Sequence, residues 1–176
     1  MTITILTIIY FFKLNNPKIG INMTTTTPKS EVTMSMSATG ETHARTKINI
    51  RDVSSIIDEP EVRGGTNQGL TPTETLMASL IGCTNVISKR IAHKMGIELG
   101  EMDIQLSAKF DRRGTMLEEE IDVPFPSVTM DIEIDTNASE AQMNALKTDL
   151  AKYCPIAKVL RGSGVEIIEN WIVNPL

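Results

Sequence analysis

From about Thr42 onward, the spacing of apolar and polar positions switches between strand and helix periods. In HARTKINIRD, Ile48 and Ile50 alternate with polar neighbours, which predicts a half-buried strand. VSSIIDEP predicts a second strand ending at Pro60, and the two together predict a hairpin. A glycine-rich loop, GGTNQGLTP, leads into Leu76, Leu80, Cys83, Ile87 and Ile91, which recur at steps of three and four along one helix face. Thr71, Pro72 and Glu74 match the N-cap, N1 and N3 positions of a capping box, and Gly96 suits the residue just past the helix end. The helix they bound is about 36 Å long, a length that predicts a central element covered by a sheet.

Two more strands follow, MDIQLSAKF and SVTMDIEID, the second with Val128, Met130, Ile132 and Ile134 on one face. The acidic stretch DRRGTMLEEEIDVPFP between them reads as a turn and loop. Ser139 and Gln142 form a second capping box, opening a helix from Glu140 to Tyr153 with Met143, Leu146 and Leu150 as its stripe. Cys154 and Pro155 interrupt it. Pro155 suits the first position of a short helix, PIAKVLRG, with Cys154 as its N-cap. VEIIENWIV predicts a last strand. The order β-β-α-β-β-α-α-β predicts an α+β fold with a mainly antiparallel sheet.

Length adds one constraint: 176 residues suit a single domain, placed here over residues 42–176. The first 22 residues contain an apolar run shorter than the roughly 20 residues a membrane span needs. They lack a basic n-region and a cleavage site. Their Ile/Asn/Lys/Tyr/Phe bias is what an AT-rich leader would encode, with Met23 as an alternative start. The polar stretch TTTTPKSEVTMSMSATGETH reads as a disordered tail, so residues 1–41 are expected to be leader and tail. No membrane partner and a cytoplasmic location are the corresponding expectations.

The net charge of -5 and the absence of a basic stripe argue against nucleic acid as a partner. The glycine loop has neither the spacing nor the Lys-Ser/Thr pair of a phosphate loop. Two cysteines, Cys83 and Cys154, are too few for a disulfide scaffold. With only His43 and His93 besides, neither a metal site nor a cofactor is expected.

The two thiols differ in setting. Cys83 sits between Gly82 and Thr84, with Ala78 and Ser79 one turn earlier. Such small neighbours suit either close core packing or access for a small substrate. Cys154 at a helix N-cap faces unpaired amides and the positive end of the helix dipole, which favour thiolate; a plain capping role is the alternative. Spacing along the chain does not show that the two meet.

From Ile57 onward the chain resembles the OsmC/Ohr superfamily, named for osmotically inducible protein C and organic hydroperoxide resistance protein. The segments that carry the resemblance are DEPEVRGGTNQGLTPTETLMASLIGCTNVISKRIAHKMGIE, DTNASEAQMNAL and KYCPIAKVL. Within them, P-x-E-x-L…A-x-L-x-G-C and the later C-P-[IV] are jointly specific. The resemblance is to the OsmC-like branch, because Thr73 stands where the hydroperoxide-resistance branch has Glu directly after Pro. It implies an intertwined homodimer, with β-sheets wrapped around long central helices and sites at the dimer interface.

The resemblance also implies a chemistry. In peroxidase members the helix cysteine, here Cys83, attacks a peroxide and becomes a sulfenic acid. The C-P cysteine, here Cys154, condenses with it to a disulfide, which a dithiol or small thiol reduces. An Arg from an amino-terminal strand and a Glu at the start of the helix activate the thiol. Glu74 fits the second role, and Arg51 the first, with Arg45 next and Arg63 as a surface charge. Ala157 replaces the Ser that ends the family's C-P-x-S pattern. The expected function is a thiol-dependent peroxidase for organic hydroperoxides; the alternative is a non-catalytic OsmC-like stress or small-molecule binding protein.

Overall fold

A computed structural model describes residues 30–176; the apolar leader and the Met23 start lie outside them. Met36–Leu176 forms one unit built from two three-stranded sheets and three helices. The first sheet is antiparallel and consists of β1 (Ser37–Gly40), β2 (Thr46–Ile50) and β3 (Val53–Ile57) in that order. The hairpin predicted from Ile48 and Ile50 is present, with Ile50 opposite Val53. The second strand stops at Ile57 rather than Pro60, because the Asp58 side chain turns into the following loop.

Ordered structure also starts earlier than Thr42, correcting the expected disordered tail. β1 pairs Ala38 with Ile48 and Gly40 with Thr46. Its four side chains are all exposed, so the strand is held by backbone hydrogen bonds and has no alternation that a pattern reading detects.

Helix α1 (Pro72–Met95) begins on the predicted capping box: Thr71 Oγ1 accepts from the Glu74 amide, and Glu74 Oε2 accepts from the Thr71 amide. It ends on Gly96, whose φ of 68° is left-handed. The buried face is rotated from the predicted stripe. Met77, Leu80, Thr84, Ser88, Ile91 and Ala92 are buried, whereas Leu76 is exposed and Cys83 and Ile87 are half-buried. Polarity hid Thr84 and Ser88 from the apolar count. The Thr84 hydroxyl reaches Met130 Sδ at 4.0 Å.

The second sheet, β4 (Leu99–Ala108), β5 (Ser127–Thr136) and β6 (Glu166–Pro175), has β5 at its centre. β5 pairs antiparallel with β4 and parallel with β6. The parallel pair follows from connectivity: α2 (Glu140–Tyr153) and α3 (Pro155–Gly162) form the crossover that returns the chain in the same direction. Three of the four strand pairings remain antiparallel, so the α+β expectation holds. Val128, Met130, Ile132 and Ile134 of β5 are each at most 1% exposed. The first three join Leu80 of α1 and Leu146 and Leu150 of α2 in one core cluster. No helix among the described residues is long and apolar enough to cross a membrane.

Candidate functional site

Two elements bring the cysteines together. Cys83 is carried in the middle of α1, whose position is set by packing against α2, α3 and β4. Cys154 closes α2, its amide bonding to the Leu150 carbonyl, and at the same residue opens α3. Pro155 makes the break obligatory, because it disfavours helical geometry in the residue before it; Cys154 has an extended φ,ψ of -70°, 108°. The Cys154 thiol donates toward Cys83 Sγ at 2.7 Å, across 71 positions of chain. Both cysteines are free. A disulfide needs about 2.05 Å between sulfurs, so closure requires a small displacement and no change of fold.

The pair is asymmetric. Cys83 is half-buried, and Cys154 exposes none of its surface. Cys154 Sγ accepts from the Ala157 amide at 3.4 Å, as its predicted N-cap position requires. The expected consequence, a thiolate favoured by the helix terminus, does not follow. Burial pushes the Cys154 thiol up to about 11, the hydrogen bond with Cys83 adds to the rise, and the Ala157 amide only partly offsets it. Desolvation outweighs the helix end here.

Glu74 is not at the thiols. It stands nine positions before Cys83 on the same helix, which is about 13 Å along the axis and half a turn around it. The carboxylate is occupied as a cap, and the Thr71 amide holds its pKa below the ordinary value, with the Arg63 charge contributing less. It borders a groove of about 330 Å³ between the first turns of α1 and the stacked rings of Phe110 and Phe125, whose centroids are 4.8 Å apart. Thr73 lines the same groove.

Arg51 is the exposed first residue of the turn between β2 and β3, with φ of +52°. No hydrogen bond or ion pair among the described residues joins it to Cys83 or Glu74. Arg45 binds Glu41, Thr66 and Gln68, and Arg63 pairs with Glu59 at 2.6 Å. Within one chain the two cysteines meet, and the Arg charge that acts on Glu74 is that of Arg63, not Arg51.

A structural organiser that the sequence reading missed is Asp58. Its buried carboxylate accepts from the Thr66 hydroxyl at 2.6 Å and from the amides of Glu59, Thr66 and Gln68. These bonds gather the glycine loop in front of α1. An acidic residue followed by a polar, glycine-rich run is the signal that marks it. Gly65 and Gly69 are required by close approach: a Cβ would lie 1.8 Å from the Glu59 carbonyl oxygen and 2.2 Å from that of Ile56. No group of three or more His, Cys, Asp or Glu among the described residues is placed to hold a metal.

The family model of OsmC-like protein matches residues 65–170. Among solved structures, an OsmC-like protein from Mycoplasma pneumoniae superposes with a TM-score of 0.69 at 16% identity, covering 82% of this chain and 99% of that one. An organic hydroperoxide resistance protein OsmC from Legionella pneumophila gives 0.60 at 17% identity, with 81% and 98% covered. The organic hydroperoxide resistance protein OhrB of Bacillus subtilis gives 0.53 at 19% identity, with 80% and 98% covered. At these identities the likeness shows a shared fold. No curated protein matches the chain.

Proposed function

The chain belongs to the OsmC-like protein family, and from that premise we propose that it is a thiol-dependent peroxidase acting on organic hydroperoxides. The observation that carries the reading is the 2.7 Å approach of the sulfurs of a half-buried and a fully buried cysteine. Cys83, the cysteine that keeps exposed surface, is the nucleophile. It bonds to one peroxide oxygen as the O–O bond breaks, releasing an alcohol and leaving a sulfenic acid. The Cys154 thiol then displaces the hydroxyl as water and forms the bridge, which an external dithiol or small thiol reopens. Cys154 is well suited to resolve, since it is already beside the sulfur it must attack and is shielded from peroxide.

The fold is shared with organic hydroperoxide resistance proteins of Legionella and Bacillus, which supports this chemistry by analogy. The cytoplasm and a homodimer complete the proposal. Exposed apolar residues on α1, Leu76 and Val86, and on β6, Ile168 and Ile172, are consistent with a subunit interface. A role for Glu74 or Arg51 in activating Cys83 requires that second subunit, because one chain does not bring them to it.

A second reading, a small-molecule binding protein with idle thiols, is favoured by the capping role of Glu74 and by Thr73 and Ala157 at the positions that differ from peroxidase members. Counting free thiols after adding about one equivalent of an organic hydroperoxide separates the two. Loss of both thiols, with alcohol released, is expected. Retention of both sinks the peroxidase and leaves the binder.

A further inference from the structure

A Cys83–Cys154 bridge offers an outside thiolate two sulfurs, and attack on either expels the other. Building on the peroxidase reading, we propose that this bridge opens in one direction only: the reductant's sulfur bonds to Cys83 Sγ, and Cys154 Sγ departs toward the amino end of α3.

Access decides the direction. Displacement at sulfur requires the nucleophile to approach in line with the bond being broken, from beyond the attacked atom. Beyond Cys154 lies packed protein: it exposes no surface and belongs to the buried cluster with Leu150, Ala157 and Leu160. Cys83 is half-buried and keeps some exposed surface, whereas Cys154 keeps none. Thiolate approach to Cys83 is therefore the less obstructed of the two, and approach to Cys154 requires local unfolding.

The departing group has a receptor. The Ala157 amide, 3.4 Å from Cys154 Sγ, already donates to that sulfur and meets the electron pair as it arrives. The raised pKa of Cys154 acts the other way, since a more basic thiol leaves more slowly. That is a graded handicap. The absence of any exposed surface is a barrier of a different order, and it prevails.

The outside thiolate forms a bond to Cys83 Sγ while the Sγ–Sγ bond breaks, and the electron pair passes to Cys154 Sγ, which ends as the thiol with the proton that the reductant's thiol released on ionising. A second thiolate, from the same reductant or another molecule, then attacks the reductant's sulfur in the mixed disulfide. That step releases Cys83 as thiolate and the reductant as its disulfide. Two reductant thiols are oxidised, and two cysteines are restored.

The test uses the full chain. Diamide closes the bridge without any peroxide, and a brief pulse of equimolar glutathione is quenched in acid before digestion and mass mapping. Glutathione is expected on the peptide carrying Cys83. Glutathione on Cys154, or equally on both, overturns the proposal, and so does failure of diamide to form the bridge. A second measurement compares Cys154→Ser with Cys83→Ser in their reaction with an aromatic disulfide. The remaining Cys83 should react faster, on the order of 100-fold, with the ratio collapsing in guanidinium; equal rates in the native proteins overturn the assignment. A chain that opens at Cys83 yet consumes no peroxide keeps this inference and loses the peroxidase.

Discussion

Glu74 Oε2 accepts the Thr71 amide at 2.8 Å while Thr71 Oγ1 accepts the Glu74 amide at 3.2 Å, closing a reciprocal cap on the helix that carries Cys83. The carboxylate thus works at the end of the helix and on the flank away from the thiol. Thr71→Ala should lower stability by about 1 kcal/mol, a few degrees in Tm. Glu74→Ala should also lower Tm, and it should leave the rate of peroxide consumption within about twofold of wild type, since a factor of two is under half a kcal/mol in barrier. Thermal melts and single-turnover thiol loss check both. A large fall in rate without loss of stability would return Glu74 to the chemistry, supplied by a second subunit.

Asp58 gives the glycine loop its dependence on acid. Its pKa lies below the ordinary 3.8, chiefly because of the Thr66 hydroxyl, with the amides of Gln68, Glu59 and Thr66 adding to the effect against the cost of burial. A depressed folded-state value contributes stability that is present above the unfolded pKa and is lost as pH falls through the folded one. Tm should therefore hold from neutral pH to about pH 4 and drop below it. In Asp58→Asn the melt should start lower and show a shallower acid limb. An unchanged acid limb would show that other carboxylates control it.

Cys154 predicts the opposite limb. Its folded-state value is raised from 9.0 to about 11, first by burial and then by Cys83. Stability from the neutral thiol is complete below 9 and is lost as pH rises toward about 11. Iodoacetamide at pH 8 should modify one thiol of the reduced protein quickly, identified as Cys83, and leave Cys154 until the protein opens. Comparable labelling of both would contradict the burial of Cys154.

Gly65 and Gly69 make the sterically most exacting prediction. Alanine at either position places a methyl group inside a backbone carbonyl contact, and backbone gives way less readily than a side chain. Each substitution should cost more than about 2 kcal/mol. Urea unfolding of Gly65→Ala and Gly69→Ala measures it. A change of under half that size would mean that the loop between Asp58 and Thr71 relaxes freely.

Much of the fold was readable locally. Capping boxes at Thr71 and Ser139, the αL stop at Gly96 and the alternation in β5 each depend on residues a few positions apart, so sequence spacing carries them. β1 was missed because its stability comes from pairing with β2 and its side chains bury nothing. The rotated face of α1 was missed because Thr84 and Ser88 are polar residues that the surrounding elements bury regardless. The direction of β6 was open because it depends on the crossover through α2 and α3.

The site divides in the same way. Sequence alone determined that a thiol stands mid-helix at Cys83, that a second caps a helix at Cys154, and that Glu74 can serve as a cap, since each is a matter of neighbours within one turn. Tertiary structure alone decided that the two sulfurs meet, that Cys83 keeps exposed surface while Cys154 is buried, and that Glu74 faces away. Contact across 71 positions and the exclusion of water are properties of how α1, α2 and α3 pack together, and no local spacing encodes them.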